Sequence, residues 1–332
     1  MNKAKLSGGL ERSDQNKRFR VMVSFGLVYV LWGSTYLAMR IAVRDLPPYV
    51  AGATRYLIAG PIMLLACALL GRKIRINRQD FVRLLLIGVL LLSMGNIGVL
   101  WAEEYVSSGL AALIVALVPI WVVILEAWVF RAGRVTAQGL IGLSLGIAGL
   151  LLLLWPRIVS GTHLGRQELL GCGILAAASF AWALGSIFSH RFDLTVDVFA
   201  SAAWQMTLGG LVNGVIALLS GQFLKAHWAA PALGAIGYLV VCGSWIGYTS
   251  YIYLLEHVPT AKVATYAYVN PIVALILGWL ILRERVDIFM LVGTAIIIAS
   301  VALVNTSKLH QPQAETAVTE ETCPKTVNVA GD

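Results

Sequence analysis

The chain has 332 residues, 58% of them hydrophobic and only 13% charged, with a mean hydropathy of +0.80. That balance excludes an ordinary soluble domain, in which about a quarter of residues carry charge, and makes the lipid bilayer the first partner of the chain. A formal net charge of +8 would also suit a nucleic-acid binder, but the basic residues cluster at the ends of apolar runs, so no nucleic-acid partner is expected.

Residues 1–19 form a basic segment with Lys3, Lys5, Arg12, Lys17 and Arg18, followed by Arg20. Apolar windows of about 20 residues can cross the hydrocarbon as helices. Such windows follow at about 21–40, 49–70, 82–102, 109–130, 136–155, 169–190, 199–220, 233–255, 260–282 and 286–304. The first run is too long for a secretory signal and has no small-residue cleavage site after it, so it reads as a retained helix. From Asn305 the composition turns polar without an apolar period, and residues 305–332 are expected to be disordered.

An offset of 152 relates the two halves. Gly33 and Ser34 land on Gly185 and Ser186, and Glu104, Val106, Ala112, Pro119, Ile120 and Arg131 land on Glu256, Val258, Ala264, Pro271, Ile272 and Arg283. The chain is therefore an internal duplication with a first unit at 20–155 and a second at 169–304, each holding an odd number of windows. Odd units enter the bilayer in opposite senses, and such inverted repeats are common in secondary transporters. The fold expected is an all-α integral membrane protein of ten transmembrane helices in two inverted five-helix repeats.

Arg72, Lys73, Arg75, Arg78 and Arg83 surround the second connection, on the same side as the basic N-terminal segment. The positive-inside rule places that side, and both termini, in the cytoplasm. Cys67, Cys172 and Cys242 fall within windows, Cys323 lies in the tail, and no paired-cysteine or metal-ligand spacing occurs. No disulfide, metal or cofactor is expected.

Polar and aromatic groups inside the windows mark the candidate site, because each must find a partner or water in the membrane. Trp32 and Tyr36 lie in the first window, Asn96 in the third, Trp182 and Ser186 in the sixth, and Trp245 and Tyr248 in the eighth. Lys262, Tyr266 and Asn270 recur at intervals of four in the ninth and would stack along one helix face. Ring faces can hold an ammonium group and an apolar side chain. These ten residues are the proposed substrate wall, while Tyr29, Ser189 and Tyr251 read as interfacial or packing residues. Pro119 and Pro271, equivalent in the two units, would each free a carbonyl and serve as helix hinges.

Arg55 stands about five positions from the centre of the second window, roughly 7 Å toward the outside, within reach of Glu103 and Glu104 at the outer end of the third. A structural ion pair or snorkelling is expected there. Glu126 is expected to pair with Arg131 or Arg134. No aspartate falls within a window, so a proton relay built on a buried acid has no support. The glycines of the fifth window and Gly243 with Gly247 in the eighth suit close helix packing, either inside a monomer or in a weak homodimer.

An enzyme needs groups this chain does not offer in the membrane: Asp45, Asp80, Asp193, Asp197 and Asp287 all fall in connections, and neither GxSxG nor HExxH occurs. A channel would call for a symmetric ring of carbonyls or charges. The order of windows, with LWGS at Leu31–Ser34, RYLIAG at Arg55–Gly60, EYVSSGLAAL at Glu104–Leu113 and NPIVALILGWLILRE at Asn270–Glu284, resembles the drug/metabolite transporter superfamily and within it the ten-helix EamA family. The resemblance implies a bacterial inner-membrane carrier with a central cavity between repeats, often an exporter of amino acids or related metabolites. Multidrug or toxic-compound efflux on the same fold is the alternative, followed by an intramembrane enzyme or a channel.

Overall fold

The computed structural model describes residues 3–102, 104–105, 114–115, 117–130, 136–159, 166–282 and 288–306. Its elements are α1 (Lys3–Val43), α2 (Pro48–Leu69), α3 (Arg78–Ala102), α4 (Val118–Ile124), α5 (Ala137–Val159), α6 (Arg166–Arg191), α7 (Val198–Leu219), α8 (Ala230–His257), α9 (Tyr266–Leu282) and α10 (Ile288–Thr306). Six segments are long and apolar enough to cross a membrane: Gln15–Val43, Pro48–Leu69, Arg78–Ala102, Leu169–Arg191, Val198–Leu219 and Ala230–His257. The fourth, fifth and tenth expected windows are represented by the shorter apolar helices Val118–Ala127, Ala137–Gly149 and Leu291–Val304. Helix α1 also extends through most of the basic segment that precedes its apolar run. The expected tail beyond Thr306 lies outside the described residues.

The principal helix contacts join the first copy to the second. Helix α2 packs on α7 and α5 on α10, while α1 meets α8 and α9, and α6 meets α3 and α4. Exchanging each helix for its repeat equivalent leaves that contact pattern unchanged. Connections tell which way each copy points. Arg72, between α2 and α3, pairs with Asp197, between α6 and α7, at 2.9 Å. At the opposite end, the His227 N–H, between α7 and α8, donates to the Asp45 carbonyl, between α1 and α2, at 2.9 Å. The α2–α3 connection and its repeat equivalent, α7–α8, thus lie at opposite ends of the bundle.

Short polar contacts fix the basic end. Asp80 accepts from the Thr195 hydroxyl at 2.5 Å and Arg83 donates to the Asp193 carbonyl at 2.7 Å. Asp197 caps α7 by accepting from the N–H groups of Phe199 and Ala200, both at 3.0 Å. Burial alone would raise its carboxyl pKa. The Ala200 N–H, the Arg72 guanidinium and the Phe199 N–H outweigh that and hold it below the usual carboxylate range.

Helices α3 and α8 each contain a π-helical segment, Val89–Asn96 and Leu239–Tyr248. The offset of 152 carries the first to 241–248, inside the second. Such wide turns concentrate at functional sites. A third π turn, Leu125–Val129, extends α4 without a counterpart in α9.

The two proline positions differ in their local structure. Pro119 sits in the first turn of α4, where a missing N–H costs nothing, and α9 runs helical through Pro271. The break in the second copy lies earlier, at Ala264–Thr265, between the short turn Thr260–Val263 and α9. The glycine seam is intramolecular: a Cβ on Gly142 would meet Val304 at 2.7 Å, one on Gly146 would meet Ser300 at 2.7 Å, and one on Gly149 would meet Ile296 at 2.9 Å. It joins α5 to α10 and is not left open for a second copy of the chain.

Candidate functional site

A cavity opens between α1, α2, α3, α6, α8 and α9, with Val115 and Val118 closing one side. Seven of the ten candidate wall residues line it: Trp32, Tyr36, Asn96, Trp182, Tyr248, Tyr266 and Asn270. It runs from mid-bundle toward Met39 and Val99, near the end opposite the basic connections. Its free volume is about 60 Å³, room for a few water molecules and well below the ~300 Å³ of a small-molecule pocket.

The basic side of this cavity is closed by packed rings. Trp32 lies 5.6 Å from Trp182, 4.8 Å from Tyr251 and 5.0 Å from Tyr266, centroid to centroid. Tyr251 lies 5.7 Å from Trp182 and 5.5 Å from Tyr266, so each ring touches at least two others. Polar tips bind inside the cluster: Trp32 Nε1 donates to the Gly243 carbonyl at 3.2 Å, and Trp182 Nε1 to the Tyr251 hydroxyl at 3.0 Å. Tyr248 donates to Gln205 Oε1 at 2.6 Å. Tyr251, read from sequence as a packing residue, is the hub.

Glycines of the two π segments make room for these rings in equivalent ways. A Cβ on Gly95 of α3 would stand 2.7 Å from Trp182 of α6, and one on Gly247 of α8 would stand 2.6 Å from Trp32 Nε1 of α1. Gly95 and Gly247 differ by the repeat offset of 152. The GxxxG of α8 therefore seats side chains, since a Cβ on Gly243 would meet Arg55 Nη2 at 2.7 Å.

Arg55 departs most from the sequence reading. It is 5% exposed, lines the cavity, donates from Nε to Ser244 Oγ at 2.8 Å and lies 4.9 Å from the Tyr56 ring centre. Among the described residues no carboxylate pairs with it. Glu104 is exposed in a turn past α3, and Glu103 lies outside the described residues. Among the described residues its side-chain hydrogen bond is to Ser244 of α8; the pair expected with Glu103 falls outside them.

Three further candidates lie elsewhere. Ser186 sits beneath the rings, bonded to the Tyr251 hydroxyl at 2.5 Å and to the Trp182 carbonyl at 2.6 Å. Trp245 turns toward the basic end, with Nε1 donating to the Ala59 carbonyl at 2.9 Å. Lys262 precedes the helix break, whose Thr265 hydroxyl donates to the Lys262 carbonyl at 2.7 Å, so the stack with Tyr266 is interrupted. Glu126, in the π turn after α4, lies beside His190 and Arg191 of α6; Arg131 and Arg134 lie outside the described residues.

Unmet hydrogen-bonding capacity remains on the cavity wall. Asn96 Oδ1, Asn270 Oδ1 and the Tyr56 hydroxyl are buried with no partner among the described residues, a costly arrangement unless a solute or water completes it. Sequence reasoning missed Tyr56, Thr35 and Ser179, which also line the cavity.

The family model of the EamA-like transporter family matches residues 21–155 and again 169–306. The chain belongs to the EamA-like transporter family. It is 34% identical to a protein of Escherichia coli named as an uncharacterized inner membrane transporter, YedA, over 89% of this chain and 95% of that one. An uncharacterized transporter of Bacillus subtilis, YoaV, is 22% identical over 84% and 94% of the two chains. A solved crystal structure shares the fold with a TM-score of 0.71 at 18% identity, covering 85% of this chain and 95% of its own. This EamA transporter thus carries the match in both copies, and its cavity is walled by both.

Proposed function

We propose that this transporter is a secondary carrier of the bacterial inner membrane, with ten spans in two inverted five-helix repeats and both termini cytoplasmic, that exports a small amphiphilic metabolite of the amino-acid type by alternating access. The observation that carries this reading is the mixed wall of the cavity. A buried guanidinium, Arg55, offers charge-assisted donors to a carboxylate. Asn96 Oδ1 and Asn270 Oδ1 offer free acceptors to an ammonium, flanked by the ring faces of Trp32 and Tyr266.

The ring cluster serves as the cytoplasmic gate, and the present cavity is contracted, so the solute enters a widened state of the same site. The equivalent π segments of α3 and α8 replace the two prolines as the places where the helices flex. A permanently cationic drug fits this wall less well than a zwitterion, because Arg55 would oppose it.

The test is movement of labelled amino acids and purines across proteoliposomes with and without a pH gradient, for the native protein and Arg55→Gln. Saturable movement of one solute class, lost in the variant, supports the proposal. No movement of any solute under either condition refutes it.

A further inference from the structure

We propose that the crevice between the basic ends of α1 and α8 binds the headgroup of an anionic phospholipid. This site is separate from the transport cavity and stands without the proposed function. The crevice encloses about 550 Å³ beside Arg20, Ser24, Arg72, Phe199, Trp245 and Tyr253. A second hollow of about 310 Å³, shared through Arg20 and Tyr253, adds Lys17 and His257. Trp245 lines the larger crevice and not the transport cavity.

Charge selects the ligand. Arg20 and Lys17 are exposed and have no acidic partner among the described residues. Asp197 is engaged by Arg72 at 2.9 Å, Glu256 stands at the position beside His257, and Asp14 lies one turn before Lys17 on α1, leaving Arg20 without an acid within a turn of it along the helix. The hydroxyl-bearing Ser24, Ser250 and Tyr253 complete a donor-rich rim suited to a phosphodiester.

Apolar surface selects a lipid over a free anion. On the crevice wall Phe19 is 62% exposed, Val23 42% and Ile246 of α8 also exposed, and farther along the same side of α1 Val30 is 57% exposed. These positions recur at helical spacing and form a stripe for acyl chains directly above the basic groups. The end involved carries the basic connections, which the positive-inside rule assigns to the cytoplasm, and basic pockets between helices on that side suit anionic headgroups.

The experiment uses full-length protein in detergent with equimolar phosphatidylglycerol and phosphatidylcholine, read by native mass spectrometry. Native protein should retain phosphatidylglycerol preferentially, and Lys17→Gln and Arg20→Gln should each weaken retention about fivefold. Arg75→Gln, an exposed basic residue outside the crevice, should change nothing, and added inorganic phosphate should not displace the lipid. A photoactivatable phosphatidylglycerol on native protein should label residues 16–24 and 245–257, an outcome independent of how the variants fold. Equal retention of the two lipids, unchanged retention in both Lys17→Gln and Arg20→Gln, displacement by phosphate or labelling elsewhere would each overturn the proposal.

Discussion

Replacing Gly247 by alanine tests whether the π segment of α8 is shaped to seat Trp32. The new Cβ would stand 2.6 Å from Trp32 Nε1 and 2.9 Å from the Cys242 carbonyl oxygen. Ordinary contact requires the indole to retreat by about an ångström, which would break its 3.2 Å hydrogen bond to the Gly243 carbonyl. Overpacking costs about 1–3 kcal/mol, and an orphaned buried N–H adds about 1–3 kcal/mol. At roughly 2–4 °C per kcal/mol for a large domain, the midpoint of thermal unfolding in detergent should fall by about 4–24 °C. Gly237→Ala supplies the control, because its Cβ would meet nothing within 4 Å on the same helix; helix propensity there favours alanine by about 1 kcal/mol. Adding Trp32→Phe should restore part of the loss in Gly247→Ala by removing the stranded N–H. Equal midpoints for Gly247→Ala and Gly237→Ala would refute the seating argument.

Other outcomes follow from the same geometry. Tyr251→Phe strands the Trp182 indole N–H, whose partner is now 3.0 Å away, and should cost about 1–3 kcal/mol by thermal unfolding, whereas Tyr253→Phe should cost less. Arg55→Gln should lower transport of a carboxylate-bearing solute roughly tenfold or more, the value of a charge-assisted hydrogen bond, and Arg55→Lys should recover only part of it in proteoliposome flux. Asp197→Asn should lower stability at pH 7 by no more than about 1 kcal/mol, since its pair with Arg72 is partly exposed. Because the folded carboxyl is held below its ordinary value, this deficit should fade as pH falls below about 4, checked by unfolding midpoints of both proteins across pH.

The duplication was readable because identical residues recur at one offset, and helix partners such as α2 with α7 follow the symmetry it implies. The ring-lined cavity was readable from polar groups in apolar runs, which is why Trp32, Asn96, Trp182 and Asn270 converge on it. The π segments were not, since no residue pattern marks an added backbone position. That hidden widening explains Trp245 and Tyr248: three apart, they would share a face in an α-helix, yet in the wider turn Tyr248 faces the cavity and Trp245 the basic crevice. The setting of Arg55 was hidden for another reason. Charge in a membrane window suggests a nearby carboxylate, and the partners that hold it are a serine and a glycine gap on α8, 189 positions away for Ser244.

The seam between α5 and α10 bears on biogenesis. Each is the last helix of its copy, and Gly142 and Gly146 of α5 fit against Ser300 and Val304 of α10 and Tyr268 of α9, all in the second copy. A nascent chain that has inserted the first copy therefore waits, with a glycine-notched flank exposed to lipid, until translation reaches the end of the second. Half-length fragments should be poor folding units, and quality-control proteases would meet their easiest target in that interval.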